Sequence, residues 1–225
     1  MQKDRQQYKI DKALVGDNDT LVRLWTMRAL MLLGANEKFI KKQGFSSDAL
    51  AGYLGLGNWL DPEGSKFSSD SAHQDLCKLH RTGEELVSEG QDWSCFSENV
   101  HRLSELIGLS KTETNILGFV FLLHNEEVLI LMSDLLGSIH KSRLPHTISV
   151  LLDIPEKEIR VALSPNSMLC KSGLVSIDHY SPTQALEHTL YMLSPDFAER
   201  VYSSDEDPVH LLRGVVAESS PPELE

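Results

Sequence analysis

Two apolar runs, residues 116–123 and 128–136, constrain this chain more than any other feature, and they are split by His124, Asn125, Glu126 and Glu127. Each is apolar nearly all round. A helix of that kind has no face to give to water and must be enclosed by other helices. The polar break keeps both runs well short of the roughly 18 or more continuous apolar residues that a bilayer-spanning helix requires. The pair therefore predicts two buried helices at the heart of a helical bundle, with no membrane span. Ser110 and Glu113, just upstream, predict the start of the first one as a capping box, in which each side chain satisfies an amide at the other residue.

The flanking segments read as further helices. Leu21, Leu24, Trp25, Ala29, Leu32 and Leu33 fall on a helical period after Asp19, a candidate cap, and before Gly34, a stop. Ser46 and Ser47 precede a short helix through Leu54, and a turn-rich connection follows, rich in Gly, Asn and Pro as far as Gly64. Residues 70–88 predict a surface helix with a partial stripe of Leu76, Leu79, Leu86 and Val87, closed by Gly90, and Ser97 opens the next helix.

After Gly137 the pattern changes. Residues 145–152 predict a short helix, Asp153 and Ile154 a tight turn, and Pro155 the start of a second helix reaching Leu163 or Ser164. Gly173 then leads residues 174–178, and residues 186–193 follow after a turn with Ser181 and Pro182, two β-suitable runs at hairpin distance. That order is the order of a winged helix. The expected fold is mainly α: a helical bundle over residues 1–140, then a winged-helix-like subdomain with a small β-hairpin over residues 141–195. Residues 196–225 are expected to hold helices around residues 197–202 and 209–216 and a linker marked by Ser219, Ser220, Pro221 and Pro222. With 225 residues and 41% hydrophobic content, the chain can bury a core large enough for two subdomains in contact.

A winged-helix order does not establish DNA binding, because a reading helix needs cationic or amide side chains for phosphates and base edges. Between Leu144 and Asp178, Lys157, Arg160 and Lys171 face four acids, a local balance of -1, and the whole chain carries -12. Nucleic-acid contact is disfavoured by that charge. Residues 1–43 carry +4, including Arg23, Arg28 and Lys38, and with no interleaved aromatics for stacking they read as a solvated basic face. Lys157, Arg160 and Lys171 are the first place to look for contact with a protein partner.

Chemistry-bearing motifs are sparse. His73, Cys77 and His80 fall at i, i+4 and i+7, one helix face, but a zinc site needs a fourth ligand, for which only Cys95 or His101 offer themselves, and one helix rarely supplies three. The reading taken is no metal site, with Cys77 packed inward. There is no G-x-S-x-G, no H-E-x-x-H and no Cys-x-x-Cys, and Gly52, Gly55 and Gly57 do not fit a dinucleotide fingerprint. The Gly64-Ser65-Lys66 phrase lacks the upstream glycine of a P-loop. No catalytic residue is assigned, and the chain as given is not expected to be an enzyme. Three cysteines, odd in number and far apart, read as free thiols in a reducing compartment, and with no secretory pattern at the amino terminus the expected location is the cytoplasm.

Three phrases, GFSSDALAGYLGLGNWLDPE from Gly44, LSELIGLSKTETNILGFVFLLHNE from Leu103 and SVLLDIPEKEIRVALSPNSMLCKSGLVSID from Ser149, resemble the region ahead of the ATPase domain in a group of bacterial AAA-family ATPases. The closing phrase from Asp205, DEDPVHLLRGVVAESSPPELE, is similar to the lead-in to that domain. The resemblance covers most of the chain from about Thr20 and consists of helix-packing patterns and the winged-helix phrase. It implies a non-catalytic amino-terminal recognition or regulatory module that binds a protein client. ATP, Mg and oligomerisation would belong to a downstream domain. The competing expectation is a stand-alone winged-helix DNA-binding transcriptional regulator.

Overall fold

The computed structural model describes residues 18–60, 66–88, 95–178 and 181–192, together with Phe197, Arg200 and Val201; the side chains of residues 87–88 and 95–97 are not among those described. Over these residues the chain is mainly helical, with eleven helices and small two-stranded antiparallel sheets.

Helix α1 (Asp19–Leu32) runs through the middle of the molecule and buries nearly every side chain from Leu24 to Leu30. Asp19 is not its cap. Asn18 takes that position without a side-chain bond, and Asp19 sits in the first turn, 3.2 Å from Arg23 one turn on. A short α2 (Asn36–Phe39) leads into the two-residue strands β1 (Ile40–Lys41) and β2 (Gly44–Phe45), which pair Ile40 with Phe45, an arrangement the sequence pattern does not announce. In α3 (Asp48–Leu54) the Ser47 hydroxyl accepts the Leu50 amide at 3.2 Å, and Gly55 closes the helix at φ +92°, a conformation that costs glycine nothing.

Helix α4 (Ser69–Ser88) returns along α1. Gly83 is buried against α1, where a Cβ would lie 2.8 Å from Met27 Cε and 3.4 Å from a Leu24 methyl. Its buried stripe is Ala72, Leu76 and Gly83, whereas the expected member Leu86 is 52% exposed. Small residues, not only large apolar ones, mark the inner face here.

Helix α5 (Cys95–Ile107) starts two residues before Ser97. The capping box forms as read: in α6 (Lys111–Asn125) the Ser110 hydroxyl accepts the Glu113 amide and the Glu113 carboxylate accepts the Ser110 amide at 2.8 Å. Ile116, Leu117 and every residue from Phe119 to Leu123 are buried. Helix α7 (Glu127–Leu136) departs at 97° and is not enclosed all round. Leu129, Met132 and Ser133 are its buried residues, while Glu127, Ile130 and Asp134 form an open face, because α1 and α6 cover the other side of this ten-residue helix. Among the described residues no single helix is long and apolar enough to cross a membrane.

The second half contains strand β3 (Ile139–His140), a 3-10 turn (Lys141–Arg143), α8 (Leu144–Leu152), α9 (Glu156–Ala162), α10 (Met168–Lys171), β4 (Val175–Ile177), β5 (Thr183–Gln184), α11 (Leu186–Thr189) and β6 (Leu190–Met192). Asp153 makes the turn between α8 and α9 at φ 54°, the one positive φ of a non-glycine residue among those described. The expected hairpin is present as β4 and β6, in register Val175 to Met192, but the first half of the second run is α11, a helical turn, instead of strand. Strand β3 pairs with β5 across more than forty residues, Ile139 with Gln184 and His140 with Thr183. Phe197 and Val201 are helical and buried; Asn99 donates to the Val201 carbonyl at 3.2 Å. The expected helix over residues 209–216 and the linker lie outside the described residues.

One hydrophobic core runs without a break from Val22, Trp25 and Ala29 through α6 to Leu163, Leu174, Leu190 and Phe197. A smaller one gathers Met27, Leu30, Phe39, Leu50, Leu54 and Leu76. Helix α1 contributes to both from opposite faces.

Candidate partner-binding site

Helix α9 is fixed by its neighbours before its outer face is considered. The Ser149 hydroxyl donates to the Ile154 carbonyl at 2.6 Å across the Asp153 turn, and Ile159 and Ala162 are buried. Lys157, Glu158, Arg160 and Val161 are left facing solvent, Val161 at 65% exposure. Arg160 is not free: its guanidinium donates to Glu156 at 2.9 and 2.5 Å. Arg160, with His146 3.4 Å away on the other side, holds the Glu156 carboxyl below the usual glutamate range. Glu158 accepts a hydrogen bond from Thr112 at 3.0 Å. Lys157 is exposed on α9 and Lys171 on α10, which packs on α9, next to Met168 at 45% exposure. The three basic residues singled out from the sequence thus lie on two adjoining helices, together with two exposed aliphatic side chains that sequence reasoning did not single out.

Glu113 sets the position of α10. Its carboxylate is buried at 7% exposure, takes the Ser110 amide and hydroxyl on one oxygen, and takes the Leu169 amide at 3.1 Å on the other. Burial pushes its pKa up, but donation from the Ser110 backbone and hydroxyl and from the Leu169 and Met168 amides outweighs burial and holds it below the ordinary value. One side chain caps α6 and receives the amino end of α10.

Arg28 fixes the α8–α9 turn from the other side. The sequence places it in a solvated basic segment, yet it is 6% exposed: Nε and Nη2 donate to the two oxygens of Glu84 at 2.8 and 2.6 Å, and Nη1 donates to the Leu151 carbonyl at 2.7 Å. Burial is sustained because the fork finds a carboxylate and a helix-end carbonyl together. Arg23 and Lys38 are also engaged, with Asp19 and with the Leu136 carbonyl. A signal for Arg28 was present: it continues the apolar stripe of Leu21, Leu24 and Trp25 at helical spacing, where a cation needs an internal partner.

A trough of about 1000 Å³ is lined by α1, α5 and α6 together with Leu152 and Asp153. Trp25 and Phe119, edge to face at 5.2 Å, are among its lining residues.

Among the described residues no three His, Cys, Asp or Glu side chains are arranged to hold a metal ion. His73 stands 3.4 Å from the Asn36 amide and His80 stands 3.1 Å from Glu84, so the residues beside half-buried Cys77 on α4 face other groups.

Comparison of the chain with models of known families, with curated proteins and with solved structures found no match.

Proposed function

We propose that this chain is a non-catalytic recognition or regulatory module of an AAA-family ATPase, binding a protein client or partner through the outer face of α9 and α10. The observation that carries the reading is the character of that face. Val161 and Met168 are exposed there with Lys157 and Lys171, while Arg160 is tied to Glu156, so the face offers apolar contact and little net charge. Exposed aliphatic side chains with a few cations suit a protein surface. Phosphate backbones need several uncommitted cations.

The order β3, α8, α9, β4, β6, with the tight Asp153 turn, supports a winged-helix-like lobe. The similarity of the residue phrases to the region ahead of an AAA ATPase domain supplies the larger setting. In that setting the module offers a client to a motor, or reports a partner to it, and ATP, Mg and ring assembly belong to the downstream domain. The cytoplasm is the compartment proposed.

Titration into a labelled DNA duplex separates this reading from a stand-alone transcriptional regulator. No binding is expected even at low ionic strength. Tight binding whose logarithm falls steeply with the logarithm of salt concentration would overturn the protein-recognition reading. The ATPase setting is tested by the reading frame beyond Glu225: a Gly-rich phosphate loop ending in Gly-Lys-Ser or Gly-Lys-Thr is expected downstream, and a stop codon directly after residue 225 defeats it.

A further inference from the structure

The geometry points to a second docking site: the trough between α1, α5 and α6 is the seat of an amphipathic helix from a protein partner, apolar along one stripe and carrying Lys or Arg toward α5. This inference rests on the reading of the chain as a protein-recognition module, but on different residues from the α9–α10 face.

The lining follows helical spacing on both walls. Helix α1 contributes Leu21, Trp25 and Arg28, and α6 contributes Asn115, Gly118 and Leu122. From Asn18 to Arg28 the α1 wall is about 15 Å long at 1.5 Å per residue, or close to three helical turns. A lining of that length takes a helix by its apolar face, with anchors at i, i+3 or i+4, and i+7. Gly118 lies in the lining with nothing nearer to a Cβ than Val100 at 3.8 Å, so at this position the α6 backbone has no side chain holding an occupant away.

The charge of the occupant follows from α5. Glu98, His101 and Glu105 line the trough at i, i+3 and i+7, and Asp153, 86% exposed, is also in the lining. Glu98 pairs with Arg102 and Glu105 with His101, but these are exposed pairs within one helix, which contribute little and exchange readily for an incoming cation. Arg28 is committed to Glu84 and the Leu151 carbonyl and lies 4.0 Å from Asp153, which leaves Lys111 as the remaining lysine or arginine in the lining, against Glu98 and Glu105 on α5. An apolar stripe with basic flanks complements this lining, and one with acidic flanks meets like charge.

The test uses the whole chain and two labelled synthetic helices of about 16 residues with the same leucine stripe, one flanked by Lys and one by Glu, followed by fluorescence anisotropy. The Lys-flanked peptide is expected to saturate at concentrations on the order of micromolar, and the Glu-flanked one to bind at least ~10-fold more weakly. Exchanging the wall charges with Glu98→Lys and Glu105→Lys together, both at exposed positions, is expected to reverse that preference. Gly118→Phe, which fills the trough, abolishes binding of both peptides. Failure of the Lys-flanked peptide to saturate overturns the inference, as does equal binding that the double charge reversal leaves unchanged. Saturation that appears only once residues 1–17 are deleted also overturns it, and assigns the trough to the chain's own amino-terminal segment. Neither the duplex titration nor the downstream reading frame involves trough residues, so each reading can fail while the other stands.

Discussion

Arg28→Ala is expected to lower the free energy of unfolding by about 3 kcal/mol, seen as a shift of the urea midpoint with the slope of the transition unchanged. Two losses combine. The Leu151 carbonyl at the end of α8 loses a donor 2.7 Å away, and Glu84 loses a two-point partner at 2.6 and 2.8 Å. A fully enclosed carboxylate would make the cost larger, but the Glu84 side chain is 36% exposed and regains some water, which holds the figure to the lower end of the range for broken buried pairs. The Arg28 guanidinium hydrogen bonds are also the largest cause holding the Glu84 carboxyl below its ordinary range, against an opposing effect of burial. Removing the orphan should therefore restore part of the stability: Arg28→Met combined with Glu84→Gln is expected to be more stable than Arg28→Ala alone. A loss under about 0.5 kcal/mol for Arg28→Ala would mean that water replaces both contacts and that the α8–α9 turn does not depend on α1.

The parts of this fold that were legible in the sequence are those in which local chemistry and final packing agree. Ser110 and Glu113 are three apart and cap the helix they precede, and Asp153-Ile154 between two short helices is the turn it reads as. Strand β3 was not legible, because a two-residue strand has no period and its partner β5 lies more than forty residues away. The α11 turn reads as strand because Leu186–Thr189 adjoins β6, and the tertiary contact with α7 decides its conformation. At the candidate site, Lys157 and Arg160 could be placed on one helix from sequence, but Lys171 could not, because α10 is a four-residue helix too short to show a period. That Arg160 is bound to Glu156 four residues earlier was also open to a reading of helical spacing. The trough was not, since its walls come from three helices whose crossing no local pattern records.

Glu113 carries the second large expected effect, because one carboxylate serves two helix ends. Glu113→Ala removes the acceptor for the Ser110 amide and hydroxyl and for the Leu169 amide, and is expected to destabilise the protein by about 2–3 kcal/mol at pH 7. Glu113→Gln separates charge from shape. It keeps one carbonyl oxygen but turns an amino group toward donors, so it should recover less than half of the loss. The pH dependence fixes the mechanism. The folded-state pKa lies below that of the unfolded chain, so the contribution of the charge is fully present above the unfolded value and disappears as the pH falls through the folded one. The stability gap between wild type and Glu113→Gln should accordingly be constant from pH 7 down to about 5 and close below about 4, where the ordinary carboxylate range ends. Taking the difference between the two proteins matters, because Glu84 is depressed as well and makes the wild type acid-sensitive for its own reason. A gap that stays constant to pH 3 would assign the effect to side-chain shape, and would remove the carboxylate charge from the account of how α10, with Met168 and Lys171, is held against α6.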